Sequence, residues 1–204
     1  MAQKVVIFDL GNVLINFNHD LIFEGLSQSI GQSSDEVRNF FVRNNLWIDW
    51  DKGLVTSSHV FNRFKEWSGC NLIQSDFNQY VCDIFSPNYE AVEMSKKLKD
   101  FGHRLVLLSN TNASHFEWIT SKYNILEHFD KLMLSFEVGL IKPDPRIFQL
   151  TLDVVKCVPE NCFFIDDLVD NVEAAKLLGI RSHQFNGIEG LSDFLAGQGL
   201  ISGE

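Results

Sequence analysis

The chain has 204 residues, of which 45% are hydrophobic and 22% are charged, and its formal net charge is −10 at pH 7. This length suits one domain with a substantial insertion, or one domain with a small partner domain. The negative charge argues against nucleic acid, whose binding is driven by Lys and Arg side chains that neutralise phosphates. Anionic membrane surfaces are poor partners for the same reason, and a phosphorylated ligand would need a local cation or lysine.

The sequence has no basic and apolar signal segment, and no apolar run approaches the length of a membrane span. Its four cysteines show no CxxC pattern, and its six histidines show no HxH or HExxH spacing, which argues against a disulfide framework and a zinc site. We therefore expect a cytoplasmic protein that binds neither nucleic acid nor membrane. The sequence leaves its oligomeric state open.

Five short apolar runs predict the strands of a sheet. Residues 5–8, Val-Val-Ile-Phe, are apolar without interruption, a pattern typical of a strand buried on both faces. The other runs are residues 104–108, 131–134, 162–165 and, more weakly, 180–185. Helical patterns separate them at residues 87–101, from Asp144-Pro145 onward, and at about 171–178. This alternation predicts an α/β fold with a parallel, doubly wound sheet.

The first connection between strands is far longer than a crossover requires. About ninety residues separate Asn12 from Arg104, whereas a crossover needs roughly a dozen. The excess contains about four helical patterns, which begin near residues 21, 34, 57 and 75 and are enough for a small bundle. We therefore expect a helical cap domain at residues 16–86, inserted into a core domain of residues 1–15 and 87–204 and lying over its crevice.

Chemically capable residues follow four of the predicted strands where each strand ends. They are Asp9, the segment 109–112 with Ser109 and Asn110, Lys142, and the pair Asp166 and Asp167. Because the carboxyl ends of parallel strands meet at one edge of a sheet, we expect these residues to share one crevice.

Three carboxylates in one crevice stay ionised only if a cation joins them. Mg²⁺ suits an all-oxygen site, and it usually leaves coordination positions for water and phosphate oxygens. A lysine and a small hydroxyl are the groups that a transferring phosphoryl group needs. We therefore predict that Asp9 attacks phosphorus and forms an aspartyl-phosphate, which water then hydrolyses.

Together these residues resemble the four motifs of the haloacid dehalogenase (HAD) superfamily. The motifs occur in order as residues 9–14 (DLGNVL), 107–110 (LLSN), 142–143 (KP), and 165–167 (IDD) followed by Asn171. The helical insertion lies where members with a C1-type cap carry it. Within the superfamily, the chain is similar to bacterial sugar phosphatases of the α-glucose-1-phosphate phosphatase type and to the phosphatase domain of soluble epoxide hydrolases.

This resemblance implies a Rossmann-like core and a Mg²⁺-dependent phosphatase for a small phosphorylated metabolite, with a sugar phosphate favoured. It also implies the metal ligands. Asp9 would be both nucleophile and ligand, and Gly11 would offer its backbone carbonyl. Asp167 would complete the metal site, with Asp166 close by.

The resemblance implies the phosphate-binding residues as well. Ser109 and the neighbouring Asn110 amide would bind phosphoryl oxygens. Lys142 would stabilise the nucleophile and the transferring group. Asn12, in the turn of the first motif, belongs to the same phosphate- or substrate-binding set.

One position departs from the pattern of the superfamily. Phosphatases of the superfamily generally carry a second aspartate two residues after the nucleophile, and this aspartate acts as general acid and then as general base. This chain has Gly11 at that position. Such catalysis contributes roughly two to four orders of magnitude in rate. Three consequences are open: the leaving group needs little protonation, another group such as His19 or a bound water replaces the acid, or turnover is weak or absent.

Two residues of the insertion are candidates for substrate binding. Trp50 could stack on the apolar face of a sugar ring, or it could pack inside the cap. His19 could reach the leaving-group oxygen, or it could lie at the surface where a helix starts.

Two other functions stay open at this stage. A HAD protein could bind metal and phosphate with weak or no turnover, which Gly11 favours. A 2-haloacid dehalogenase-type hydrolase would use the same aspartate on a carbon–halogen bond. Because such enzymes need no metal, the pair Asp166 and Asp167 argues against this second alternative.

Overall fold

The structure, a computed structural model, describes residues 4–201. Its strands are β1 Val5–Phe8, β2 Ile15–Phe17, β3 Phe85–Pro87, β4 Arg104–Ser109, β5 Lys131–Leu134, β6 Cys162–Asp166 and β7 Arg181–Gln184. Its helices are α1 Asp20–Ile30, α2 Ser34–Arg43, α3 Leu46–Asp51, α4 Ser57–Ser68, α5 Gln74–Cys82, α6 Tyr89–Asp100, α7 Ala113–Lys122, α8 Ser135–Val138, α9 Pro145–Val155, α10 Val169–Leu177 and α11 Ile188–Gly197. None of these helices has the length and apolar character that crossing a membrane requires.

Five parallel strands form the central sheet in the order β5-β4-β1-β6-β7. All four residues of β1 are buried, since the strand lies at the centre and alternate side chains point to opposite faces. Val5 and Ile7 share a hydrophobic cluster with residues of α9 and α10, whereas Val6 and Phe8 share one with α6 and α11. The predicted doubly wound α/β fold is therefore confirmed.

Five helices, α1–α5, lie between β2 and β3 and share their own core of aromatic and aliphatic side chains. The strands β2 and β3 form a two-stranded antiparallel ribbon that carries the chain out of the central sheet and back. The sequence predicted about four helices here and missed α3, which has only six residues. The predicted limits of the cap domain, residues 16–86, begin and end inside this ribbon, and as domain boundaries they stay a prediction.

Capping side chains explain why several predicted helices begin where they do. The Ser33 hydroxyl accepts a hydrogen bond from the Glu36 backbone, and the Glu36 carboxylate accepts one from the Ser33 backbone, which is a capping box for α2. Asp144 caps α9, and Pro145 is the first residue of that helix.

Three helices, α7, α8 and α11, were not predicted from the sequence. The last of these contains Gly190, which weakens a helical pattern.

The cap contacts the core through the end of α3 and the turn that follows. The Ser135 hydroxyl in α8 lies 2.6 Å from the carbonyl oxygen of Asp51 and accepts a hydrogen bond from the Thr111 backbone at 2.9 Å. Gly53 has φ +66°, and a Cβ added there would overlap the carbonyl oxygen of Phe136. The turn is therefore packed closely against the core.

This packing predicts the effect of adding a methyl group at Gly53. Both Gly53→Ala and Gly69→Ala place a side chain at positive φ, which costs about 1–2 kcal/mol, but Gly69 faces open space. Overpacking at Gly53 adds a further 1–3 kcal/mol, as an order of magnitude. Urea unfolding of both variants checks this, and equal losses of unfolding free energy would contradict close docking of the turn.

Candidate active site

Three carboxyl groups meet at the carboxyl edge of the central sheet. Asp9 follows β1, Asp166 ends β6, and Asp167 comes next in the chain. The strands β1 and β6 are neighbours in the sheet, so their ends lie close together. One carboxylate oxygen from each of the three residues lies within 4.8 Å of the other two. The structure thus brings together the acids of the first and fourth motifs.

A buried lysine joins two of these acids. The Lys142 ammonium nitrogen lies 2.6 Å from Oδ1 of Asp9 and 2.7 Å from Oδ2 of Asp166, and its side chain is 1% exposed. Burial lowers the pKa of Lys142, but the two carboxylates outweigh burial and raise it above its ordinary value. The ammonium group therefore stays charged. Burial raises the pKa of Asp9 to about 7, although the Lys142 charge opposes this shift.

The backbone of Lys142 is held by the segment that follows β4. The Asn110 side chain donates a hydrogen bond to the Lys142 carbonyl at 2.9 Å and accepts one from the Lys142 N–H at 2.8 Å. Since the Asn110 side chain is engaged in this way, its predicted contact with phosphate falls to its backbone amide. Ser109, the last residue of β4, is buried beside it.

The two acids at the end of β6 have different surroundings. Asp166 is fully buried; its Oδ1 accepts hydrogen bonds from the Leu168 backbone and the Asn171 side chain, both at 2.9 Å, and its Oδ2 faces Lys142. Asp167 is half-buried, and its Oδ2 lies 3.4 Å from the Asn12 amide nitrogen. Asp166 therefore positions Lys142 and the start of α10, which leaves Asp167 as the better placed metal ligand of the two.

The charges of this cluster fit a divalent cation. Three carboxylates and one ammonium group leave two negative charges in a site that is mostly buried. Burial and the neighbouring Asp166 raise the pKa of Asp167, so a site without a cation favours protonation of its acids. Clustered carboxylate oxygens are the ligands that Mg²⁺ prefers. Gly11 lies in the turn after β1, and its carbonyl as a metal ligand stays a prediction.

A cavity of about 60 Å³ lies between the core and the cap beside this cluster. Gly11, Ser109 and Thr111 line it from the core, and Trp47 and Asp51 line it from the cap. Burial raises the pKa of Asp51 to about 6, although the hydrogen bond from the Asn112 side chain opposes the shift. The cavity therefore lies next to the turn that follows Asp9, between the core and the cap.

Two histidines also line this cavity. The ring of His19 is half-buried, with its centroid 4.7 Å from that of Phe17 and 5.0 Å from that of Trp47, and burial lowers its pKa. His115 in α7 is buried, and burial lowers its pKa to about 3. Both rings are therefore neutral near pH 7. The structure places His19 both at the start of α1 and on the cavity wall, so its role at the leaving-group oxygen stays a prediction.

The predicted role of Trp50 needs a correction. Its side chain is 2% exposed and packs against the rings of Trp47 and His115 at 5.9 and 5.7 Å between centroids, so it has no free face for a sugar ring. Trp47, three residues earlier, lines the cavity instead. Packing inside the cap, the alternative for Trp50, is what the structure supports.

Sequence reasoning also missed Phe17, which fills the space beside Gly11. A Cβ added at Gly11 would lie 2.5 Å from Cε1 of the Phe17 ring. Phe17 is held in the ribbon opposite Phe85, so the ring has limited room to move. A longer side chain at position 11 therefore conflicts with this ribbon.

Comparison with known proteins identifies the family. The family model of haloacid dehalogenase-like hydrolases matches residues 3–179. The chain belongs to this family of hydrolases.

Two curated relatives cover most of the chain. D-ribitol-5-phosphate phosphatase of Bacteroides thetaiotaomicron is 22% identical over 89% of this chain and 91% of its own length. Drimenol cyclase of Aspergillus calidoustus is 26% identical over 90% of this chain, but the match spans only 34% of that longer protein.

The fold of the chain is also similar to that of a solved structure. A HAD family enzyme of Bacteroides thetaiotaomicron, crystallised with magnesium and inorganic phosphate, has a TM-score of 0.78 and 26% identity, and the match covers 90% of this chain and 94% of that one.

The buried and neutral His115 predicts a pH dependence of stability. Its pKa is lowered from about 6.5 to about 3 on folding, so below pH 6.5 the unfolded chain binds a proton that the folded chain does not. The stabilisation of the folded state by neutral His115 is therefore complete above about pH 6.5. As pH falls toward 3, the free energy of unfolding decreases by up to about 1.4 kcal/mol per pH unit.

Urea unfolding between about pH 7 and pH 5 measures this effect. The unfolding free energy of the wild type should fall more steeply than that of His115→Gln. His59→Gln, at an exposed position of α4, is the matched control and should follow the wild type. Parallel curves for all three proteins would show that His115 is not held neutral by the fold.

Proposed function

We propose that the protein is a Mg²⁺-dependent phosphatase that hydrolyses a small phosphorylated metabolite, such as a sugar or polyol phosphate, through an aspartyl-phosphate on Asp9. The observation that carries the proposal is the buried contact of Lys142 with Asp9 and Asp166, which orients a carboxylate beside a cavity. The Mg²⁺ ion is supported by the two excess negative charges of the cluster and by the neighbour crystallised with magnesium and phosphate.

The residues of this chain divide the work in the proposed reaction. Asp9 attacks phosphorus with a carboxylate oxygen, and Lys142 neutralises charge on Asp9 and on the phosphoryl oxygens. Ser109 and the backbone amide of Asn110 bind phosphoryl oxygens. Mg²⁺, held by Asp9 and Asp167, supplies further positive charge to the phosphoryl group when it is bound.

The volume of the cavity bounds the size of a group that it can enclose. At about 60 Å³, it is well below the roughly 300–1,000 Å³ of pockets that enclose drug-sized ligands, so a sugar or polyol would extend beyond it. The aromatic rings of Phe17 and Trp47 on its wall suit the apolar face of a sugar or polyol. A curated relative is named for D-ribitol 5-phosphate, which places a polyol phosphate among the first substrates to test.

The nucleophile assignment predicts the result of replacing Asp9. Asp9→Asn should abolish release of inorganic phosphate from p-nitrophenyl phosphate with Mg²⁺ present, because an amide oxygen does not attack phosphorus. Circular dichroism and urea unfolding should show that the variant is folded. Wild-type rates in Asp9→Asn would refute the nucleophile, and a wild type that binds phosphate and Mg²⁺ without turnover would identify a binding protein.

The metal assignment predicts a difference between two acids that are close in sequence. Asp167→Asn should raise the Mg²⁺ concentration needed for half-maximal activity at least about tenfold, as expected for a lost metal ligand. Asp170→Asn, at an exposed position in α10, is the matched control and should leave it unchanged. The measurement is activity against Mg²⁺ concentration after treatment with EDTA, and equal curves for both variants would exclude Asp167 as a ligand.

A further inference from the structure

The cavity must supply a proton if a basic leaving group is to depart. An alcohol or phenol leaves a phosphate ester readily only when its oxygen is protonated as the bond breaks, and this assistance is worth roughly 10²–10⁴ in rate. The turn after β1 offers no acid here, because it contains Gly11 and the ring of Phe17 fills the space beside it. The proton donor must therefore come from another wall of the cavity.

Three titratable side chains line this cavity within residues 4–201. They are His19, Asp51 and His115. Both histidines are held neutral by burial, so neither carries a readily lost proton near pH 7. Burial shifts Asp51 in the other direction and raises its pKa to about 6, which lies close to the range that suits a general acid.

The carboxyl group of Asp51 is held toward the phosphate-binding segment of the core. The Asn112 side chain donates a hydrogen bond to its Oδ1 at 3.1 Å, and the Ser135 hydroxyl holds its backbone carbonyl at 2.6 Å. Asn112 belongs to the same segment after β4 as Ser109, and both Asp51 and Ser109 line the cavity. Asn112 thus holds the carboxyl group itself, and Ser135 contacts the backbone of the same residue. A fixed orientation of this kind favours proton transfer to a bound ester.

The other groups around Asp51 add no second carboxyl group to the cavity wall within the described residues. Asn112 and Ser135 from the core are not ionisable in this range. His19, at the start of α1, and His115 in α7 face the same cavity, and both are neutral. A dependence on pH near 6 that disappears on replacement of Asp51 therefore reports on Asp51.

We propose that Asp51 of the cap is the general acid and base of the reaction, an inference that rests on the proposed phosphatase function. In the first step, Asp9 forms a bond to phosphorus while the ester P–O bond breaks, and the Asp51 carboxyl proton passes to the leaving oxygen. In the second step, water attacks phosphorus and gives a proton to the Asp51 carboxylate. The bond between Asp9 and phosphorus then breaks, which releases phosphate and restores both residues.

Two aryl phosphates of similar shape test this role. The leaving group of phenyl phosphate is phenol, which resembles a Tyr side chain of pKa about 10, whereas p-nitrophenol is a much weaker base. In single-turnover experiments, Asp51→Asn should slow phenol release about 100-fold or more and p-nitrophenol release by less than about tenfold. Equal slowing of the two substrates, or no slowing, would overturn the proposal.

A burst and a pH profile test the same role independently. With p-nitrophenyl phosphate, Asp51→Asn should release one equivalent of p-nitrophenol quickly and then turn over slowly, because the second step lacks its base. For phenyl phosphate, the advantage of wild type over Asp51→Asn should shrink as pH rises above about 6. A constant advantage across this range would contradict a titrating donor.

Three further variants separate the possible failures. Asp49→Asn, on the same short helix, controls for the cap and should behave as wild type with both substrates. If His19→Gln shows the selective loss and Asp51→Asn does not, the donor is His19 and the proposal is wrong. Asp9→Asn tests the phosphatase function itself. If the wild type releases phosphate and Asp9→Asn does not, the proposed function stands even where Asp51→Asn shows no selective loss. An inactive wild type would refute both proposals.

Discussion

The buried ion contact of Lys142 is the interaction on which the rest of the site depends. An ammonium group that is 1% exposed is stable only if negative partners surround it. Asp9 and Asp166 provide that charge from adjacent strands, and Asn110 fixes the backbone that carries the lysine. The ends of β1 and β6 are therefore bound to one charge, and displacing either removes one of its two partners. This constraint fixes the position of the Asp9 carboxylate.

Much of this arrangement could be predicted from the sequence, since it follows from strand ends. The apolar run of β1 is typical of a strand buried on both faces, and its alternation with helices predicts a parallel sheet. Such a sheet places Asp9 and Asp166 at one edge, and the segment after β5 and α8 brings Lys142 to them. The distinction between Asp166 and Asp167 needed the structure. It depends on hydrogen bonds from Leu168 and Asn171, which adjacent positions in a sequence do not reveal.

The cap could be predicted only as a helical insertion. The helix α3 is six residues long, too short for a periodic pattern, so nothing in the sequence showed that Trp50 faces the interior of the cap while Trp47 and Asp51 face the cavity. The position of Phe17 beside Gly11 depends on the pairing of β2 with β3, which is equally hidden. The missing side chain at Gly11 was visible in the sequence, but what fills its place was not.

The sheet edge could be predicted in detail and the cap only as a helical insertion, and the two parts also have different roles in the proposed site. The groups proposed to bind and attack phosphorus belong to the sheet edge, whereas the proposed proton donor belongs to the cap and is held at the core by Asn112 and Ser135. A cap that moved away would leave Asp9 and Lys142 in contact but would remove Asp51 from the leaving group. Esters with weakly basic leaving groups would still react, and those with basic leaving groups would not. Under the proposed mechanism, the chemistry itself would select substrates that let the cap dock, because docking would supply the proton that their leaving group requires.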